Sequence, residues 1–247
     1  MINKIKALGL AFVAIAALSA VAASGAQAAS SFDVGASPAV FTGVGETGQE
    51  TVLTVKSTSG TTTLNAKCTT ASFEGTTQGQ NVTEATVTAT YGTGKGEFSE
   101  AQGCTVGGIK SQVIMNGCKY TITSTATAKT ANVDITGCTE GKQIEIKVAA
   151  GGCALKIPQQ TGLASLVGSN LTAQEVTITG KVSGIKVEQG GGASCPDGAT
   201  AHVGTNGSFT SNTILKGFQD LGTKQVTKHG HQYTEHLCGT QVSISAT

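Results

Sequence analysis

The chain has 247 residues, and its 16 basic side chains, all lysine, against 15 acidic ones leave a net charge of +1. That near-neutral balance lacks the positive field that nucleic acids and anionic membranes select, and without arginine there is no bidentate grip on phosphate or guanine. Only 13% of residues are charged, there is no tryptophan and there are 34 glycines, while threonine, valine and isoleucine recur throughout. Branched side chains of this kind suit a pleated sheet and argue against a helical protein.

In chain order, residues 1–28 read as a secretory signal peptide. Lys4 and Lys6 form a charged start, an apolar run follows to Ala23, and Ala26-Gln27-Ala28 supplies small residues for cleavage after Ala28. The expected mature protein is then one all-β extracellular domain over 29–247, secreted or held at the cell envelope. Losing the two leader lysines takes its charge to −1 (14 − 15). No later segment has the apolar length of a membrane-spanning helix, so no membrane span is expected.

Predicted strands follow: "TVLTV" at 51–55, "ASFEGT" at 71–76, "ATVTATY" at 85–91, "SQVIM" at 111–115 and "KYTITSTATA" from Lys119. Further along come "NVDIT" at 132–136, "QIEIKV" at 143–148 and "CALKI" at 153–157. The run "EVTITGKVSGIKVE" at 175–188 alternates apolar and polar residues, with a bulge expected at Gly184. "GSFTSNTIL" at 207–215 and "TQVSISA" at 240–246 complete the set. "AVFTGVGETGQETVLTV" and "ASFEGTTQGQNVTEATVT" read as two similar hairpins. Short alternating strands between Gly- and Thr-rich turns predict an antiparallel β-sandwich or a barrel-like fold, one face buried and one polar.

Seven cysteines in an exported chain imply disulfides with one thiol left over. Cys118 and Cys138 flank a predicted hairpin that turns near Lys129, so antiparallel pairing brings them together at its open end. The same reasoning, about a turn near Gly79, pairs Cys68 with Cys104. Cys153 and Cys195 would form the third bridge and leave Cys238 free. A bridge from Cys238 to Cys195, freeing Cys153, is the alternative.

"CTTASFEGTT", "MNGCKYTIT", "VDITGC", "CALKIPQQTGL" and "VTITGKVSGIKV" together resemble a family of uncharacterised secreted proteins of soil actinobacteria. The likeness runs from Cys68 to Phe209 in matching order and includes six cysteines. It implies an extracellular β-protein and carries no activity with it. The insertion "GTGKGEFSEAQG" and everything beyond Phe209 depart from the pattern.

Chemistry-bearing residues are sparse. "KHGHQYTEHLC" holds His229, His231, His236, Glu235 and Cys238, residue types that ligate zinc or copper. Gly230 favours a turn, and neither His-x-x-x-His nor Cys-x-x-Cys spacing occurs, so a metal-free surface loop or edge strand is expected. No Gly-x-Ser-x-Gly or His-Glu-x-x-His motif is present. A triad would have to draw on His202 and Asp134, and a carboxylate pair on Glu145 and Glu175, both at polar strand positions. Asp197 is a single carboxylate in a loop where calcium would want several. Tyr91 and Tyr233 are expected to be exposed, as sugar binding would require. The predicted protein is therefore not an enzyme and needs no cofactor. It is a structural or adhesive β-protein able to self-associate through edge strands; a small-ligand or glycan-binding module is the alternative.

Overall fold

The computed structural model describes residues 31–56, 63–77, 81–92, 103–149, 152–191, 203–228 and 231–246. The predicted leader, the turn at Gly79, and the expected positions of Cys195, His202 and His229 lie outside them. Among the described residues every regular element is a strand, as the branched and Thr-rich composition dictates.

In chain order these are β1 (Phe32–Val34), β2 (Ala39–Gly45), β3 (Thr51–Lys56), β4 (Thr63–Cys68), β5 (Ala71–Thr77) and β6 (Asn81–Val82). Next come β7 (Glu84–Tyr91), β8 (Cys104–Val106), β9 (Ile109–Ile114), β10 (Lys119–Ser124), β11 (Thr130–Thr136) and β12 (Ile144–Val148). The last are β13 (Cys153–Ile157), β14 (Gln160–Thr172), β15 (Glu175–Gly191), β16 (Val203–Lys228), β17 (His231–Val242) and β18 (Ile244–Ala246).

A 15-stranded antiparallel sheet runs β17-β16-β2-β5-β7-β10-β11-β14-β15-β13-β12-β9-β8-β4-β3. Its pairings show a simpler plan. Six pairs of strands run end to end: β2 into β3, β4 into β5, β7 into β8, β9 into β10, β11 into β12 and β13 into β14. Each half bonds to the matching half of the next pair, as β2 does to β5 and β3 to β4. Together with β15 and β16, which run the full length, they make eight antiparallel passes. Along one side β16 lies against β15, and along the other against β3 and then β2, so the sheet closes on itself. This is the barrel-like form of the expected fold, and closure removes most of the open edges that a flat sheet would present.

One sequence expectation fails here. "AVFTGVGETGQETVLTV" is not a hairpin, because β2 pairs with β5 and β16 while β3 pairs with β4 and β16. The Gly-rich piece between them is a step in one pass, pinned where Glu46 N donates to Asn212 O on β16 at 2.9 Å. The second stretch does form a hairpin, with Ala71 opposite Tyr91. Gly184 has a φ of 74° and sits at a register shift between Ser183 and Ile185, the bulge that its flexible backbone permits.

Side chains alternate across the wall. In β7, Ala85, Val87, Ala89 and Tyr91 point inward and are buried, while the threonines between them face out. The outer face carries ion pairs such as Lys67–Glu50 at 2.9 Å and Lys216–Glu175 at 2.8 Å. A 3-stranded sheet, β18-β1-β6, covers one end, where Val34, Val82 and Ile244 are buried. The Ile244 amide donates to Ala173 O at 3.2 Å, tying this cap to the turn before β15.

Disulfides join neighbouring passes at mid-height. Cys68 is bonded to Cys104, with a sequence separation of 36, and Cys118 to Cys138, with a separation of 20. Cys153 is also in a disulfide; its expected partner, Cys195, falls outside the described residues. Cys238 is a free, exposed thiol.

Candidate functional site

All eight passes contribute side chains to a cavity of about 150 Å³ inside the closed sheet. Eight strands enclose a space just wide enough to be filled by side chains or to hold one small ligand. Here the filling is incomplete. Leu53, Val87, Val133, Ile146, Leu163 and Ile178 supply much of an aliphatic wall, and Phe73 and Phe209 add aromatic faces. No charged side chain lines the cavity among the described residues. A smaller space of about 30 Å³ lies beneath the cap and shares Phe41, Ile122 and Leu215 with the main one.

Among the described residues, polar side-chain atoms reach the cavity wall in two places, both at mid-height. Tyr91 ends β7 and Tyr120 lies near the start of β10, and their hydroxyls are hydrogen-bonded at 2.9 Å. The ring of Tyr91 is held edge-on by Phe73, at 6.1 Å between centroids and an interplanar angle of 88°. On another part of the wall, Thr51 Oγ1, Ser211 Oγ and Thr213 Oγ1 form a chain of buried hydroxyls with 3.3 Å spacings. Burial pushes the Tyr91 phenol well above its usual range, and the neighbouring Tyr120 adds to that. Tyr120 is raised by burial too, with the bond from Tyr91 acting in the opposite sense. Both are neutral hydroxyls at any physiological pH.

Tyr91 therefore contradicts its sequence expectation. It is 9% exposed and faces inward, not outward as a sugar platform would. The signal was present: in "ATVTATY" it shares its parity with Ala85, Val87 and Ala89, the apolar face. The side chain of Tyr233 is outside the described set. Thr51, Ser211 and Thr213 carried no comparable signal, since threonine and serine occur on both faces of these strands.

From His231 onward the histidine-rich stretch lies in β17, the terminal strand of the sheet order. His236 Nδ1 is 3.5 Å from Asp220 Oδ1, which itself accepts from the Gly222 amide at 2.8 Å. Cys238 is opposite Asp220 on β16. Desolvation pushes its thiol up, and the charges of Glu74 and Asp220 push in the same direction. Among the described residues no three His, Cys, Asp or Glu side chains converge on a metal position. The carboxylates weighed for catalysis have other neighbours. Asp134 Oδ1 accepts from the Gly162 amide at 2.7 Å, Glu145 is 3.7 Å from Lys147, and Glu175 pairs with Lys216.

These features define a closed, disulfide-bonded β-protein with an apolar interior. Comparison with family models, curated proteins and solved structures returns no match.

Proposed function

We propose that this chain is a secreted, non-catalytic binding protein that holds a small apolar ligand inside its closed sheet. The carrying observation is the cavity of about 150 Å³, with an aliphatic and aromatic wall contributed by every pass. An apolar void of this size in a protein core stays dry and takes up benzene or xenon, because the lining atoms lack contact partners that a ligand would supply. Secretion is supported by the leader-like sequence at 1–28, by the disulfides, which suit an oxidising compartment, and by the likeness to exported actinobacterial proteins. No helix among the described residues is long and apolar enough to cross a membrane.

The test is the melting temperature of the protein in benzene-saturated buffer. Ligand that binds only the folded state stabilises it by mass action, so the wild type should melt higher with benzene. Gly180 lines the cavity, and a Cβ there would have Leu166 Cδ2 at 3.4 Å as its nearest neighbour. Gly180→Val should therefore fill part of the space and reduce the benzene effect. An equal benzene shift in both proteins would count against the interior as the site.

A second reading, self-association, is favoured by β17. It is the terminal strand of the sheet, and Leu221 and Leu237 are 58% and 37% exposed on the hairpin that it forms with β16. Sedimentation velocity over a hundredfold concentration range tests it: a constant sedimentation coefficient removes this reading.

A further inference from the structure

The polar atoms in the cavity say what kind of molecule belongs there, given that the interior is the binding site. Each phenol carries one proton and can accept two hydrogen bonds. In the Tyr91–Tyr120 pair one proton is spent on the 2.9 Å bond between them. The other is left over beside a mostly apolar wall, where a donor without an acceptor is costly; the Thr51, Ser211 and Thr213 hydroxyls elsewhere on that wall are bonded to one another. Among the described residues no lysine or histidine lines the cavity to neutralise an anion, and burying an unpaired carboxylate is far costlier than burying a neutral oxygen.

We infer that the ligand is a neutral, compact hydrocarbon of about single-ring size bearing one acceptor oxygen, of the ketone, aldehyde or ester class. The oxygen accepts the spare proton of the Tyr91–Tyr120 pair, and the apolar body packs among residues such as Ile146, Leu163 and Ile178. The pairing has a further consequence. Removing either hydroxyl frees the proton of the other, so a single Tyr→Phe change keeps a donor. Only the double change Tyr91→Phe, Tyr120→Phe abolishes it. Because that change removes both partners together, it leaves no orphaned polar group and should be tolerated.

The experiment is isothermal titration with cyclohexanone, methylcyclohexane and cyclohexanecarboxylate at pH 7, on the wild type, both single variants and the double variant. The wild type and both single variants should bind the ketone with similar affinity, and the double variant about fivefold more weakly, the worth of one net hydrogen bond. Methylcyclohexane should bind all four proteins equally, and the carboxylate should bind none. Equal ketone affinity across all four proteins, with hydrocarbon still bound, would overturn the role of the tyrosines while leaving the cavity as a binding site. Carboxylate binding as tight as that of the ketone would overturn the neutral class. Failure of both neutral probes to bind the wild type would overturn the binding reading itself.

Discussion

Tyr91 and Tyr120 make stability depend on alkaline pH in a definite direction. Both phenols are raised in the folded protein, whereas in the unfolded chain they ionise near pH 10. As pH climbs through that value the unfolded state loses protons first, so the contribution of these two phenols to stability is flat below about pH 10 and falls above it. Denaturant melts from pH 8 to pH 11 should show this fall, and the Tyr91→Phe, Tyr120→Phe double variant should lose most of it. Gly75 illustrates a different constraint. A Cβ there would lie 2.3 Å from the Phe41 ring, which covers the glycine across the β2–β5 pair. Gly75→Ala should cost about 1–3 kcal/mol through this overpacking, read as a lower denaturation midpoint at unchanged m-value. Ser111 Oγ is buried with no hydrogen-bond partner. Ser111→Ala should therefore leave stability unchanged or raise it, and a loss above about 1 kcal/mol would mean that the hydroxyl has a bound partner.

Among the strands, those with strict alternation were readable in the sequence and those interrupted by steps were not. "QIEIKV" became β12, with Ile144, Ile146 and Val148 inward, because a half-buried strand leaves that period-two record. β14 hid its 13 residues because two bulges, one near Gly162 and one between Ala164 and Leu166, shift its register against β11. The extension of β16 to Lys228 and its partner β17 were likewise obscured, because most of the described side chains of that hairpin are exposed and mark no apolar face. Cysteine positions were more telling, since they stand just outside the paired residues Lys119 and Thr136 of β10 and β11. The Cys118–Cys138 bridge restricts a short loop, and such crosslinks contribute about 3 kcal/mol by limiting the unfolded chain. The Cys118→Ser, Cys138→Ser variant should accordingly melt roughly 6–12 °C lower in calorimetry. An unchanged melting temperature would mean that the hairpin is held fully by its own ladder.

At the scale of the whole molecule, the property that matters for function is closure, and it had no local signature. It depends on β16 pairing on both sides, with β15 along one and with β3 and β2 along the other, across sequence separations that no period can record. The interior follows from it: inward residues chosen one strand at a time meet around a common axis and leave about 150 Å³ unfilled. The most direct measurement is methyl NMR of the Ile, Leu and Val side chains under increasing xenon pressure. Binding in the interior predicts saturable shifts for Ile135, Ile146 and Leu163, which line the cavity, while the exposed methyls of Val44, Leu171 and Leu221 stay in place. Uniform, non-saturating shifts across both groups, or saturable shifts confined to the exposed one, would contradict a ligand-holding interior.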